Sequence, residues 1–450
     1  PPTRMAVPAE TSPAQPGQPL SLADLENLAV SGNPTIAAAD ALVRQQQGLW
    51  LQSGLYPNPN VGYVRTDPNK PGQSETQGVF LSQEVVMGGK LRLNRAVERR
   101  EIDGRLWQLR AQRERVLNDV RIRFYEAFGA QQLLLAAREL EQLAEQGVKA
   151  AESLVKAKQA ARLDVLQAEI QLQALRVSVA DAGYRYEAAW RQLATVVGAV
   201  GLRPGPLVGD LESDVPQLDW ETSLRQLLND SPVLRAQAAQ IDAANYQLKR
   251  AQVEPIPNVT FQMVAQHDQV QKFDSVSTLV AVPLPLFNRN QGNVANARAL
   301  LDQQQKEYER VQLALTDQLA ASFRQYLSAR TQAERIYKEI LPRARETLDL
   351  ITKGYQLGEF DILRVLNARQ TYFQARLAHI DALTEVHKIV IEIQGLELIG
   401  GLNPTEVGTA LQTAGGVGPA GARNVLLNRL QEAGSTGLRT LPGAIQAGER

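Results

Sequence analysis

The stretch "YPNPNVGY" at residues 56–63 returns as "EPIPNVTF" at 254–261. Pro57, Pro59, Asn60 and Val61 match Pro255, Pro257, Asn258 and Val259 at a constant spacing of 198. Two prolines one residue apart stop a helix, because proline lacks an amide hydrogen and bars helical angles in the residue before it. The residues after each double proline are strand-like. In "NVTFQMVAQ", Val259, Phe261, Met263 and Ala265 alternate with Thr260 and Gln262, giving one dry face and one wet face. The chain therefore turns from helix to strand twice, with Pro57, Pro59, Pro255 and Pro257 as hinges.

The repeat is wider than that phrase. Leu25 and Leu28 match Leu224 and Leu227, and Asn33-Pro34 matches Ser231-Pro232. Downstream, "LDVLQAE" (163–169) matches "LRVLNAR" (363–369) at a spacing of 200. A period this long is not a solenoid repeat, which runs about 20–50 residues. It predicts two similar halves, 20–200 and 219–402, joined by a linker at 201–218. Residues 1–19 hold six prolines and read as a disordered lead-in. Residues 403–450 hold nine glycines and read as a mostly disordered tail, with "NVLLNRLQ" (424–431) as a possible short helix.

Each half has one order of elements. A helix of about 20 residues comes first (34–55 and 232–253) and ends at the prolines. A strand, a polar loop (66–75 and 267–275) and a second strand come next. In the second of these strands Val276, Thr278, Val280 and Val282 share a face. A very long helix completes the series. No proline occurs from Gly72 to Arg203, and Ile102, Leu106, Leu109, Val116, Val120 and Phe124 recur at helical spacings. One helix over 90–157 spans on the order of 100 Å, too long for a compact domain to wrap. It must pack as a coiled coil or project. It turns back near 158–163 and returns over 164–197; the second half repeats this over 294–356 and 362–399. Where each second strand re-enters the long helix stand Gly88, Gly89, Asn290 and Gly292, residue types that allow a sharp bend. The "GGK" at 88–90 lacks the spacing of a phosphate loop.

Four strands of about ten residues have the length of tilted bilayer-crossing strands. Four cannot close a barrel, and an open sheet edge is forbidden in lipid. Several chains sharing one barrel resolve this; two, three or four chains fit the strand count. Tyr56, Tyr63, Phe80, Phe273 and Phe287 lie near strand ends, as in an interfacial belt. A soluble hairpin with ordinary packing aromatics is the plain alternative.

Composition removes other classes. The 48 basic and 48 acidic side chains cancel, and cysteine is absent. Disulfides and thiolate metal sites are thus excluded. No run of about 18 apolar residues occurs, so no helix spans a bilayer. Residues 90–123 carry eleven Lys/Arg against five Asp/Glu, but interspersed acids and the scarcity of aromatics argue for a solvated helix face near a membrane interface rather than nucleic-acid binding. His379 and His387 stand eight apart and His267 is remote, so no metal site and no cofactor are expected. No catalytic constellation appears, and the expectation is a protein that is not an enzyme.

The layout resembles the outer-membrane efflux factor family, the TolC-like exit ducts of bacterial tripartite pumps. Three stretches carry the likeness: the duplicated helix, double proline and strand; "GYQLGEFDILRVLNAR" (354–369) with its partner "ARLDVLQAE" (161–169); and "PLPLFNRNQGNVANA" (283–297) with "SQEVVMGGKLRLNRA" (82–96). The last pair is most similar to the heavy-metal, cobalt–zinc–cadmium type branch. The resemblance implies a mainly α fold with a small β part: long antiparallel helical hairpins forming an α-barrel, plus four strands per chain in a shared trimeric transmembrane β-barrel. It implies a homotrimer in outer-membrane lipid, a periplasmic adaptor protein and an inner-membrane (RND-type) pump as partners, and passive conduction without catalysis. Some relatives carry an N-terminal cysteine for a lipid anchor; this sequence offers none. The rival reading is a periplasmic coiled-coil adaptor or scaffold without a channel, which normally needs many more short strands.

The resemblance also places the closed end of the duct at the helix turns near 158–164 and 357–364. Asp164, Glu359 and Asp361 lie there as gate candidates, since acidic rings in a pore favour cations. Asp164 and Asp361 fit equally well as helix caps. Arg162, Leu163, Gly358 and Phe360 are the adaptor-contact candidates, with local packing of Leu163 and Phe360 as the alternative.

Overall fold

The computed structural model describes residues 20–66, 75–158, 161–212, 216–357 and 359–403. The lead-in at 1–19, the tail from 404 onward, where a short helix is expected at 424–431, and Gly358 lie outside the described residues. The first half contains α1 (Leu22–Gly32), α2 (Pro34–Ser53), β1 (Asn60–Thr66), β2 (Thr76–Val85), α3 (Lys90–Lys156) and α4 (Arg162–Val197). The second contains α5 (Trp220–Asp230), α6 (Pro232–Val253), β3 (Val259–Asp268), β4 (Asp274–Ala281), α7 (Gln291–Arg335), α8 (Leu341–Gln356) and α9 (Ile362–Gln394). The short helices α1 and α5 add to the elements expected from the sequence pattern. Asn33 ends α1 and starts α2: its Oδ1 accepts the Thr35 amide at 2.9 Å, with Pro34 in the first turn.

The strands form one antiparallel sheet in the order β1-β2-β3-β4. Tyr63 pairs with Val79 and, in the second hairpin, Phe261 pairs with Val280. Shifting the first pair by 198 and 201 residues gives the second, so the duplication holds at the level of hydrogen-bond register. The two halves meet where β2 pairs with β3. This register puts Val61, Tyr63, Val79, Leu81, Phe261, Met263, Val276 and Val280 on one face of the sheet, nearly all of them highly exposed. Two aromatics depart from the belt expected at the strand ends. Tyr63 is central in β1, and Phe80 is central in β2 on the opposite face, where its ring covers Gly62. Alternation dictates this: Phe80 sits one residue from Val79 and must point the other way.

A hinge network joins sheet to helices. Asn258, just before β3, accepts from the Met87 amide at 3.2 Å and from Lys90 Nζ at 3.1 Å, and donates to Glu84 at 2.7 Å. The pairs Pro57/Pro59 and Pro255/Pro257 lie between α2 and β1 and between α6 and β3. Gly88, Gly89 and Asn290 adopt left-handed angles, with φ of 69°, 66° and 61°. Gly292 does not belong with them. It lies inside the first turn of α7, and a side chain there would meet open space.

Helix α3 runs unbroken for 67 residues, about 100 Å at 1.5 Å per residue. It packs along α2, α4, α6 and α9. Its counterpart is not continuous, contrary to the single helix expected over 294–356. Residues Ile336–Ile340 form a π turn between α7 and α8, in which the Leu341 amide reaches back to Ile336 O. Pro342 comes directly after it. Its ring would press on the carbonyl four residues earlier in a regular helix, and the wider turn accommodates it.

The main core lies partway along these rods. It includes Leu25, Phe124, Trp190, Leu193, Leu227, Leu319, Tyr326 and Val386. Side-chain donors fasten the segment between the halves: Tyr186 Oη to Gly205 O at 2.7 Å, Trp190 Nε1 to Leu202 O at 3.0 Å, and His387 Nε2 to Leu211 O at 3.0 Å. Burial lowers the affinity of His387 for a second proton. After α9 the chain is clamped again. Asn118, fully buried in α3, donates to Gly395 O at 3.1 Å and Leu398 O at 2.8 Å, while Asp119 accepts the Gly400 and Gly401 amides. Replacing Asn118 with alanine strands both carbonyls and should cost about 2–4 kcal/mol. Thermal or denaturant unfolding in detergent reads this; a loss below about 1 kcal/mol would show that the clamp does not depend on it.

Candidate functional site

Two features of a duct need to be located, a membrane-facing surface and a constriction. The surface is the sheet face described above. On the central strands, Val79 and Leu81 of β2 and Phe261, Met263 and Ala265 of β3 are exposed, while their alternates are half-buried. The exposed face is therefore the more apolar one, and the sheltered face carries Ser82, Glu84, Thr260, Gln262 and Gln266 around the Phe80–Val264 pair. That is the arrangement of a barrel wall with lipid outside and a polar lumen. No described helix is long and apolar enough to cross a membrane.

The candidate constriction is the far end of the rods. Lys156 ends α3 and Arg162 begins α4; Gln356 ends α8 and Ile362 begins α9. Asp164 turns back on its own helix, its Oδ2 accepting the Ala161 amide at 3.0 Å. Asp361 is the N-cap of α9, with Oδ1 accepting the Arg364 amide at 3.1 Å. Both carboxylates thus satisfy amides that a helix start leaves open. Glu359 differs: its amide bonds to Gly354 O at 2.9 Å, but its side chain is exposed and makes no such cap. Arg162 and Leu163 are exposed, Leu163 at 60%. Phe360 folds inward onto Gly354, and the Arg364 guanidinium lies 5.1 Å above its ring. Leu357, at 76% exposure, is the more prominent apolar residue of that turn, and the sequence pattern alone does not single it out. Gly354 holds the signal: only a residue without a side chain there lets Phe360 turn in and leaves Leu357 outside.

The two turns lie close enough to interact. Burial first, and then the nearby Asp164 charge, raises the Tyr355 phenol above its ordinary range. Behind the tips, α3, α4, α8 and α9 line a cavity of about 400 Å³, with small residues such as Ala144, Gly147, Ala151 and Ala168 on α3 and α4 facing larger ones such as Ile362, Leu366 and Phe373 on α9. Arg369 lines it, and burial weakens its hold on the proton. Among the described residues no group of three His, Asp or Glu side chains could hold a metal ion.

Comparison with known proteins agrees with this geometry. The family model for outer membrane efflux protein matches residues 25–199 and 223–396. The chain is 26% identical to the cobalt-zinc-cadmium resistance protein CzcC of Cupriavidus metallidurans, over 85% of this chain and 90% of that protein. Its fold is similar to that of CusC, with a TM-score of 0.69 at 19% identity over 83% of this chain and 91% of CusC. It is similar also to the outer-membrane channel OprN, with a TM-score of 0.68 at 19% identity over 85% of this chain and 91% of that one. The register-matched duplication, the apolar outer face and the family match converge: the chain belongs to the outer membrane efflux protein family, the outer-membrane channels with a periplasmic helical extension.

Proposed function

We propose that three copies of this chain form the exit duct of a tripartite efflux pump, with a periplasmic adaptor and an inner-membrane pump of the RND type as partners. The observation that supports this most is the sheet: four strands with an apolar outer face and two open edges, β1 and β4, in one chain. Three chains supply twelve strands, which closes the edges. The halves 20–200 and 219–402 then act as six similar units around one axis. Conduction is passive, and the energy comes from the partner pump. The likeness to a cobalt-zinc-cadmium resistance protein supports heavy-metal cations as the cargo.

At the tips, Glu359, Asp361 and Asp164 repeat three times to give acidic rings that favour cations. Glu359 is the strongest of the three for this role, because its carboxylate is not spent on a cap. Arg162, Leu163 and Leu357 present the exposed surface on which an adaptor closes, and Gly358 follows Leu357 in the sequence. Phe360 serves from below by packing the turn.

The assembly is tested by the native mass of the detergent-extracted protein taken with its membrane fractionation. A three-chain species in the outer-membrane fraction is expected; a monomer that stays soluble without detergent contradicts the duct. The gate is tested separately with paired variants. Asp361→Ala should cost about 1 kcal/mol of helix stability through the lost cap, while Asp361→Asn, an equally good cap, should cost little. In planar bilayers, Glu359→Gln and Asp361→Asn should lower cation over anion selectivity with stability retained. Unchanged selectivity in both would leave these carboxylates with structural roles alone.

A further inference from the structure

The exposed face of the central strands continues onto the helices and changes character there. Met87 and Ile256, at the helix–strand junctions, are still apolar and exposed. Within its first three turns α3 presents Arg92, Arg95 and Arg99, all exposed and spaced to share one helix face. Lys90, which points at Asn258 and the Glu84 side of the sheet, lies on the opposite side of the helix at 100° per residue. The arginines therefore extend the apolar face of the sheet, not the polar one. On α6 the exposed stripe Asp242, Asn245, Lys249 ends in a cation at the same level.

Depth is fixed by helix rise. Arg92 and Arg95 lie about 3 and 8 Å below the start of α3, and Lys249 about 6 Å from the end of α6. The headgroup zone of a bilayer adds about 5–8 Å on each side of the hydrocarbon core. Two of these cations rest on aromatic faces: Arg95 lies 3.9 Å from the Trp50 ring and Lys249 Nζ 4.9 Å from that of Tyr246. The nearby acids are engaged elsewhere. Glu254 pairs with Arg250 and Lys90, Glu98 accepts from Gln46, and Asp103 pairs with Arg99 and Arg100. Among the described residues, no carboxylate pairs with Arg92, Arg95 or Lys249.

From this juxtaposition of an apolar wall and an unneutralised cationic collar, we infer that Arg92, Arg95 and Lys249 bind the phosphate headgroups of anionic phospholipid in the leaflet that faces the helices. The apolar residues above them take the acyl chains, and the aromatic rings under two of the cations hold them at headgroup level. This rests on the outer-membrane duct reading. It gives a role to the basic stretch that the channel alone leaves without one.

The test exposes the detergent-extracted assembly to phosphatidylglycerol and phosphatidylcholine and measures retained lipid by native mass spectrometry. Wild type should retain phosphatidylglycerol in preference to phosphatidylcholine. Each cation removed in the set R92Q, R95Q and K249Q should weaken retention roughly fivefold. The charge-keeping set R92K, R95K and K249R should restore it, which separates charge from packing on Trp50. Single-channel conductance checks that each variant is assembled. Equal retention of both lipids by a conducting wild type, or undiminished retention by the triple glutamine variant, overturns the inference alone. Displacement of the lipid by inorganic phosphate at matched concentration marks a free-anion site and overturns it too. A chain that stays soluble without detergent overturns both this inference and the duct.

Discussion

A row of backbone amides and carbonyls at a sheet edge must find partners, and in lipid only another strand can provide them. This chain has two such edges, β1 and β4, on a sheet whose outer face is apolar. The rest of the architecture serves to supply those edges and the helices they lead into. The duplication makes the two edges complementary. Because β1 relates to β3 and β2 to β4 by fixed shifts, β4 can meet a neighbour's β1 as β2 meets β3. Residues 282–287, which lie beyond the end of the β3–β4 pairing, include Leu284, Leu286 and Phe287 at 74%, 65% and 92% exposure. Pro283 and Pro285 lie among them and cannot donate a ladder hydrogen bond, so pairing there draws on the residues between them.

The helical part answers a different problem. A rod of about 100 Å has too little neighbouring mass along it to form one compact core. Stability is concentrated where α1, α5, the segment between the halves and the clamp after α9 gather around Trp190, Tyr326 and Asn118. Toward the tips the rods enclose a cavity, and each turn carries one side-chain cap, from Asp164 and from Asp361. The end that must move in a gated duct is thus the less densely secured end.

Much of this is legible in the sequence, for local reasons. The double prolines and the period-two alternation fix where helix becomes strand, and the proline-free run fixes the long rod. Gly88, Gly89 and Asn290 sit at turns that require positive φ, and their residue types announce it. The features that escape depend on tertiary context. The π turn before Pro342 is written in the sequence as a proline inside a helical pattern, but the pattern does not say whether the helix stops, kinks or widens there. Gly292 looks like Gly89 in the sequence but falls one turn into α7. At the tip, whether Leu357 or Phe360 faces outward depends on the space above Gly354. The roles of Glu359 and Asp361 depend on what stands opposite them in an assembly of several chains, which one chain's sequence does not contain.

Closure of the edges between copies can be read with one disulfide, because the chain has no cysteine of its own. Applying the shifts of 201 and 198 to the pair Gln83–Phe261 places Leu284 of one copy opposite Tyr63 of the next. Within one chain these edges are three strand spacings apart, about 14 Å, beyond the reach of a disulfide. The double variant Tyr63→Cys and Leu284→Cys, oxidised in membranes and run without reductant, should give covalent dimers and trimers. A product that remains monomeric, with both single variants equally unreactive, would contradict a barrel shared between copies in this register.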